Sequence, residues 1–472
     1  MSAPFFIKKK ENPKLAKKGN TAVLKRKVDG DSGGKSKLRA KKAISRHNEE
    51  ISSDSETESP VVSRKRQSKE ETDYDETPQE KKLRLAKLYL EQLKEEEDDK
   101  AEDDSFETDL IAGRLQEEVV RLMPPDASEI RVLRGHKLPI TCLVISSDDK
   151  YIYSAAKDCS IIKWDVESGK KLHTIPGGRK GTEDRHVGHT THILCMAISS
   201  DGKYLATGDV NKLIMIWEAE TCKHLYKFTG HKGPVSGLSF RRGTHDLYSA
   251  SHDRSVKVWN VDENAYVETL FGHQDAITGL DSLSRELCVT AGGRDRSVRV
   301  WKIAEESQLV FHGHEGSIDC IQLINEEHMI TGADDGSVSL WSVNKKRPLS
   351  TVKKAHGCHG DAGLEQPHWV ASVAALQNSD TVASGAFGSH NSHVRLWKCG
   401  QNYRGLEPLF SVPVTGFVNS LKFSSSGQFL VAGVGQEHRL GRWWRLKEAK
   451  NAIYIIPLKR KLPNPEEARI PE

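Results

Sequence analysis

The stretch Ser251-His252-Asp253-Arg254-Ser255-Val256-Lys257-Val258-Trp259 decides the fold, because close copies of it recur along the chain. A Gly-His pair, Gly230-His231, precedes this stretch, and the tryptophan follows the aspartate by six residues. Internal repeats are sought first because a fixed period determines the architecture. The same unit begins at four further pairs, and two worn copies end at later tryptophans: Gly135-His136, Gly188-His189, Gly272-His273, Gly313-His314, and then Trp397 and Trp443.

The spacing of these tryptophans predicts a ring of repeated β-sheets. The steps from Trp164 to Trp443 are 53, 42, 42, 40, 56 and 46 residues, near the period of about 40–45 residues and four strands typical of WD repeats. Residues Ser255–Trp259 alternate as a half-buried strand does. The fold class is therefore all-β, a seven-bladed WD40 β-propeller. We expect Ile130–Leu133 to supply the outer strand that closes the ring; Ala452–Leu458 competes for the same place.

The recurring His, Ser or Thr, Asp and Trp residues predict one hydrogen-bonded chain in each blade. A turn aspartate can accept bonds from backbone N–H groups, and a buried indole N–H needs an acceptor. A Ser, a His and an Asp also resemble a hydrolase triad, but five recurrences favour a scaffold, and we expect no catalysis. In the second unit His189 leads to Asn211 and Trp217. The predicted structural residues are His136, Asp158, Trp164, His231, Ser249, Asp253, Trp259, His273, Asp295, Trp301, His314, Asp335 and Trp341.

Composition divides the 472 residues into four regions. Hydrophobic residues make up 36%, and the deficit lies in the first 125 residues, which cannot bury a core. We expect a disordered tail over residues 1–76, a charged helical segment over 77–125, the propeller over 126–460 and a tail over 461–472. The eight scattered cysteines form no disulfide framework. No apolar run is long enough for a membrane span and no signal peptide is present, so we expect a soluble intracellular protein.

The N-terminal region carries targeting and modification candidates. Residues 1–50 hold fifteen Lys and Arg against five Asp and Glu, a density that predicts nuclear localisation; a merely solubilising tail is the alternative. Ser52, Ser53 and Ser55 precede acidic residues and are phosphorylation candidates. A capping box at Thr77 begins one predicted helix, and a second spans about Thr108 to Leu122. The basic candidates are Lys8, Lys9, Lys10, Lys25, Arg26, Lys27, Lys41 and Lys42.

One face of the ring is the expected binding surface. Two overlong loops, Pro176–Arg185 and His356–Trp369, and the irregular turns of the last two units emerge beside the Asp turns. Arginine forks suit phosphate and stacked bases, although loop solubility alone would also explain basic residues. The scattered His and Cys of His356–Cys399 lack zinc-ligand spacing, so we expect no metal and no cofactor. The contact candidates are Lys157, Arg254, Arg294, Arg296, Arg439 and Arg442.

Long runs of the chain resemble the U3 small nucleolar RNA-interacting protein 2 family. They are Glu80–Leu93, Ala155–Trp164, Ser251–Trp259 and Ala432–Trp444, and the resemblance covers about residues 47 to 460. It implies a non-enzymatic nucleolar subunit of the U3 box C/D ribonucleoprotein that binds the box B/C element of U3 RNA with the kink-turn-binding protein. It further implies contact with the other box C/D core proteins and with the small-subunit processome, in pre-ribosomal RNA processing.

A nuclear adaptor of chromatin or of a ubiquitin ligase is the alternative function. Ligase adaptors often carry Trp-Asp-x-Arg at a blade end. The corresponding tetrads Trp164–Glu167, Trp217–Glu220 and Trp259–Asp262 contain no arginine, which argues against that alternative. We expect neither a membrane nor a small-molecule substrate as a partner.

Overall fold

The computed structural model describes residues 121–179, 181–182, 186–359, 366–386 and 393–461. The predicted basic tail, the serine candidates, the first predicted helix and the C-terminal tail from residue 462 lie outside these ranges. The second predicted helix is wrong where it can be compared: Arg121–Met123 is a strand that pairs with Lys459–Lys461. None of the described residues forms a helix with the length and apolarity that crossing a lipid bilayer requires.

Seven four-stranded antiparallel sheets form the ring, so the prediction of a seven-bladed propeller is confirmed. Within blades one to six, strands follow one another from the channel outwards. Blade one comprises Ile140–Ile145, Tyr151–Ala156, Ile161–Asp165 and Lys171–Ile175, and blade two comprises Ile193–Ile198, Tyr204–Asp209, Ile214–Glu218 and His224–Phe228. Blade three comprises Val235–Phe240, Asp246–Ser251, Ser255–Asn260 and Ala265–Phe271. Blade four comprises Ile277–Ser282, Leu287–Gly292, Ser297–Lys302 and Ser307–His312.

The remaining blades include the closure of the ring. Blades five and six comprise Ile318–Leu323, His328–Ala333, Val338–Ser342, Lys345–Val352; and Val370–Ala375, Thr381–Ala386, His393–Cys399, Leu406–Pro413. A short hairpin, Cys358–His359 with Gln366–Pro367, and a 3-10 turn, Gln401–Tyr403, lie outside the sheets. Blade seven comprises Phe417–Phe423, Phe429–Gly435, Ala452–Pro457 and, as its outer strand, Arg131–Leu133.

The closing strand is the N-terminal one, as expected. Arg131, Val132 and Leu133 pair with Ile455, Tyr454 and Ile453, and this antiparallel pairing of an N-terminal strand with a C-terminal one closes the ring. Ala452–Pro457 does not compete for this place, because it is the third strand and pairs with Phe429–Val434. The prediction that Trp443 ends the third strand of blade seven is therefore wrong.

The core follows from the strand patterns. Val, Ile, Leu and Ala on the three inner strands are buried between adjacent blades, while the outer strands are partly exposed. Six tryptophans at the ends of third strands are buried, and each stiffens the joint between its blade and the neighbouring one through packing: Trp164, Trp217, Trp259, Trp301, Trp341 and Trp397.

Candidate nucleic-acid interface

The upper face of the ring carries the loops that hold the Gly-His pairs and the Asp turns. In blade three, Trp259 Nε1 donates to Ser249 Oγ at 2.8 Å, and Ser249 lies 2.8 Å from His231 Nε2. His231 Nδ1 lies 3.0 Å from Asp253, whose carboxylate also accepts from the N–H groups of Lys232 and Ser255. Burial opposes ionisation of Asp253, but the bonds from His231 and Ser255 outweigh it and hold its pKa below the usual range. This chain fixes the turn from inside the blade.

Blades one, four and five repeat this arrangement with small changes. In blade four, His273 joins Asp295 at 2.7 Å and Thr290 at 2.7 Å, and Trp301 donates to Thr290. In blade one, His136 contacts Ser154 at 2.8 Å and reaches Asp158 through Ser160, while Trp164 donates to Ser154. In blade five, His314 contacts Thr331 and Ser337, Trp341 donates to Thr331, and Asp335 accepts from the Gly316 N–H.

Blade two corrects one assignment made from the sequence. The acid that contacts His189 is Asp209, at 2.9 Å, and not a residue at position 211. Asp209 ends the second strand, and its other oxygen accepts from the Leu213 N–H across the turn. The acid therefore lies two residues earlier than the fixed spacing to Trp217 predicts, at the last residue of the second strand.

Three of the proposed contact arginines are exposed on the upper face. Arg254 and Arg296 have left-handed backbones, with φ of 70° and 55°, at the same position of the turns in blades three and four. Arg294 is exposed beside them. An acid lies beside Arg294, because the Asp275 carboxylate accepts from its backbone N–H, and the Arg296 guanidinium donates to the backbone carbonyl of Glu315.

Lys157 and Arg439, in contrast, hydrogen-bond to other parts of the ring. Lys157 is buried and donates to Glu437 and to the Gly441 carbonyl, both at 3.2 Å. The Arg439 side chain crosses the upper end of the channel and donates to the Asp319 carbonyl at 2.6 Å. The prediction that Lys157 and Arg439 contact RNA at the surface is not kept, because the cationic group of each donates to partners inside the ring.

The sixteen residues Gln436–Asn451, between the second and third strands of blade seven, form what we call the tryptophan lobe. Backbone bonds tie it together: Leu446 donates to Gln436, and Glu437 and Arg445 form an isolated β-bridge. Asn419 of the inner strand donates to the Glu437 carbonyl and accepts from the Arg439 N–H. The lobe is therefore a fixed part of the upper face.

An ion-pair network anchors this lobe to blade one. Glu437 accepts from Lys157 at 3.2 Å and from Arg442 Nε at 2.7 Å, and the side chains of Glu437 and Lys157 are only 5% and 7% exposed. Burial raises the pKa of Glu437, but the bonds from Arg442 and Lys157 outweigh it and lower the pKa from its usual value. Arg442, which is 65% exposed, thus combines a structural contact with a position at the surface.

Aromatic side chains that the sequence did not predict to lie at the surface surround the lobe. Trp443 lies 5.6 Å from His438 and 6.3 Å from Trp369, between ring centroids. Trp444 meets His359 edge-on at 5.5 Å. One sequence feature distinguishes this place: three residues before Trp443 stands a leucine, Leu440, whereas each of the other six repeat tryptophans has Ile or Val at that position.

The lower end of the channel opens into a cavity of about 660 Å³. Its polar side chains bond to one another: Lys422 donates to Gln322 at 2.8 Å, and Gln322 donates to Asp281 at 2.7 Å. Burial raises the pKa of Asp281. These bonds join the inner strands of blades four, five and seven.

The histidines and cysteines considered as a zinc site are dispersed. His356 Nε2 contacts Ser384 at 2.8 Å in the hydrogen-bonded chain of blade six, and Cys399 is buried in a hydrophobic cluster. Over the described ranges no group of three or more His, Cys, Asp or Glu has a metal-binding arrangement. The eight cysteines are free thiols.

The fold and the hydrogen-bonded turns define a WD-repeat β-propeller protein. The family model of the WD domain, G-beta repeat, matches residues 127–165, 182–218, 222–260, 264–302 and 305–342. The chain is similar to human U3 small nucleolar RNA-interacting protein 2, with 67% identity over 75% of this chain and 76% of the relative. It belongs to the U3 small nucleolar RNA-interacting protein 2 family.

Two further similarities cover the same region. A solved structure, the crystal structure of RRP9 WD40 repeats, has 68% identity and a TM-score of 0.69, covering 72% of this chain and 100% of that one. Ribosomal RNA-processing protein 9 of Saccharomyces cerevisiae is 27% identical over 73% of this chain and 78% of that relative.

Proposed function

We propose that this protein is a non-enzymatic subunit of the U3 box C/D small nucleolar ribonucleoprotein. It binds the box B/C region of U3 RNA together with the kink-turn-binding protein and acts in pre-ribosomal RNA processing for the small subunit. The observation that carries this proposal is the 67% identity, over 75% of this chain, to a human protein named for its interaction with U3 RNA. The yeast relative named for ribosomal RNA processing supports the pathway.

The upper face is the proposed contact surface for RNA. Arg254, Arg294 and Arg296 are exposed there on turns that the internal hydrogen-bonded chains hold in place, and Arg442 is exposed on the tryptophan lobe. Guanidinium groups bind phosphate oxygens in forked geometry, and their sum makes binding depend on salt. Lys157 and Arg439 act indirectly, because they fix the lobe that presents Arg442.

The proposal extends to location and partners. The basic clusters within residues 1–76 direct the protein to the nucleus, and the U3 particle places it in the nucleolus. The remaining box C/D core proteins and the small-subunit processome are its protein partners. Phosphorylation of Ser52, Ser53 or Ser55 would add negative charge near the basic tail and weaken its attraction to RNA. No cofactor and no small-molecule substrate form part of the proposal.

Ultraviolet crosslinking in cells, followed by sequencing of the attached RNA, tests this function. We expect a dominant peak on U3 RNA near box B/C. With the double variant Arg254→Glu and Arg294→Glu the peak should weaken. For the purified protein, the slope of the logarithm of the binding constant against the logarithm of salt concentration should become less steep by about one for each lost phosphate contact. Arg242→Glu is the control, because Arg242 is exposed at the lower cavity. Absence of U3 RNA from both the crosslinks and the purified particle would refute the proposal.

A further inference from the structure

The tryptophan lobe places two indoles on the upper surface instead of in the core. Trp443 is 61% exposed and Trp444 is 38% exposed, while the six repeat tryptophans are at most 4% exposed. Exposed tryptophan costs hydrophobic free energy that burial against a partner would recover. The pair therefore indicates a surface that is covered in the assembled state.

The surroundings of these indoles are strongly basic. Within residues 134–139 and 436–451, six exposed side chains are cationic and one, Glu448, is acidic. The two segments are adjacent, because the Asn451 side chain donates to the Lys137 carbonyl. The cations are Arg134, Lys137, Arg442, Arg445, Lys447 and Lys450.

The local backbone holds the Trp443 ring in a defined position. A Cβ atom on Gly441 would lie 1.7 Å from that ring, so the indole lies directly against a residue without a side chain. His438 supports the same ring from below the surface. Burial lowers the pKa of His438 to about 3, and the charges of Arg439 and Lys157 act in the same direction, so the imidazole is neutral at pH 7.

A second observation concerns the buried polar edge of this cluster. His438 Nδ1 accepts from the Leu440 N–H at 3.3 Å, which leaves the ring proton on Nε2. Nε2 is buried and has no hydrogen-bond partner among the described residues. A buried donor without an acceptor is costly, and here it lies beside the exposed indole.

We propose that the tryptophan lobe is a stacking site for unpaired RNA bases, with Trp443 and Trp444 as the platforms and the surrounding cations as phosphate contacts. This proposal rests on the proposed function and names the form of RNA that the upper face receives. Aromatic platforms within a basic groove are the usual chemistry of single-strand binding, because every base has a stacking face. Six exposed cations against one acid favour a polyanion over a protein surface, since protein interfaces are depleted of lysine.

The test uses the full-length protein and a fluorescein-labelled oligouridylate of about twelve nucleotides, with fluorescence anisotropy as the measurement. We expect Trp443→Ala and Trp444→Ala each to weaken binding about tenfold, the range that loss of one stacked base gives. Trp443→Phe should retain most of the affinity, while Trp443→Leu, which keeps apolar area but no π-face, should not. Phe271→Ala is the matched control, an exposed aromatic residue on blade three.

The design separates failure of the lobe from failure of the proposed function. Equal affinity of Trp443→Ala and the unmodified protein for the oligonucleotide overturns the stacking site, even if U3 RNA still crosslinks elsewhere. Equal loss with Phe271→Ala overturns it too, since the effect is then general. Retention of affinity by Trp443→Leu overturns stacking as well, since apolar area without a π-face is then enough for the oligonucleotide. A duplex of the same length should bind without sensitivity to either tryptophan substitution.

Discussion

Removal of the Glu437 carboxylate should release the tryptophan lobe from the ring while the rest of the propeller stays folded. In Glu437→Gln the charge between Lys157 and Arg442 is lost, although the amide keeps the shape. Arg442 can turn to solvent, whereas Lys157 is almost fully buried and keeps only uncharged partners, the Gly441 carbonyl and the amide oxygen. An unpaired buried charge costs about 3–5 kcal/mol, and we expect about 3 kcal/mol because the amide oxygen still accepts one bond.

Hydrogen exchange measures this change locally. The Leu446 N–H donates to Gln436, and the Arg439 N–H donates to Asn419, so both amides are protected only while the lobe is in place. A loss of about 3 kcal/mol in opening free energy corresponds to roughly 100-fold faster exchange when opening limits protection. Amides of blades three and four serve as the internal reference, and their exchange should not change.

The matched control is a cycle with Lys157→Met. This substitution removes the cation, leaves Glu437 paired with Arg442, and should accelerate exchange of the lobe by less than tenfold. The double variant should exchange more slowly than Glu437→Gln alone, because no unpaired buried charge remains. Two results would refute the assignment of Glu437 and Lys157 as the anchor. One is exchange in the double variant as fast as in Glu437→Gln, and the other is unchanged exchange in Glu437→Gln.

Three further outcomes are expected from equilibrium urea unfolding and circular dichroism. Ser249→Ala removes the acceptor of Trp259 and should cost about 2 kcal/mol, while Ser249→Thr should be nearly neutral because three other blades carry threonine there. A chain shortened to begin at residue 134 should lose the cooperative transition, whereas one beginning at 121 should keep it. Lowering the pH below 6 should destabilise the protein, because histidines that stay neutral in the folded protein bind protons in the unfolded state. Each such histidine lowers the free energy of unfolding by about 1.4 kcal/mol per pH unit. Asp319, whose pKa burial raises to about 6, binds a proton in the folded protein and offsets one histidine. Stability that stays flat between pH 6 and 4.5 would contradict this reading. The histidines are His314, with a pKa of about 4, and His356 and His438, with pKa values of about 3.

The repeat itself made most of the fold predictable. Wherever a Gly-His pair, an aspartate and a tryptophan keep their spacing, the three inner strands follow, because burial of alternating β-branched residues and the shared hydrogen-bonded chain agree. The exception in blade two shows the limit of spacing alone. Asp209 takes the place of the turn acid because it reaches His189 from the end of the strand, and a count back from Trp217 cannot reveal that.

The candidate site was less predictable, because no sequence pattern determines whether the side chain of a basic turn residue points to solvent or into the ring. Arg254 and Arg439 both follow a strand end, yet one is exposed and the other bonds to a carbonyl across the channel. What separates them is the tertiary environment: Arg439 faces the open channel, where carbonyls of other blades need donors. Such a partner lies 120 residues away in sequence and is visible only after the ring has closed.

Closure of the ring also explains why the tryptophan lobe lies in blade seven. Because Arg131–Leu133 takes the outer position, Ala452–Pro457 must be the third strand, and Gln436–Asn451 is left over between strands. Those residues do not follow the inward and outward alternation of a strand. Arg439 can therefore extend into the channel while Trp443 is exposed at the surface. Both ends share the anchor at Glu437. A change inside the channel near Asp319 should therefore alter the proposed binding of the oligouridylate at the lobe, measured by anisotropy, without touching the RNA. Asp319→Asn, which keeps the backbone carbonyl that Arg439 uses, should alter it least.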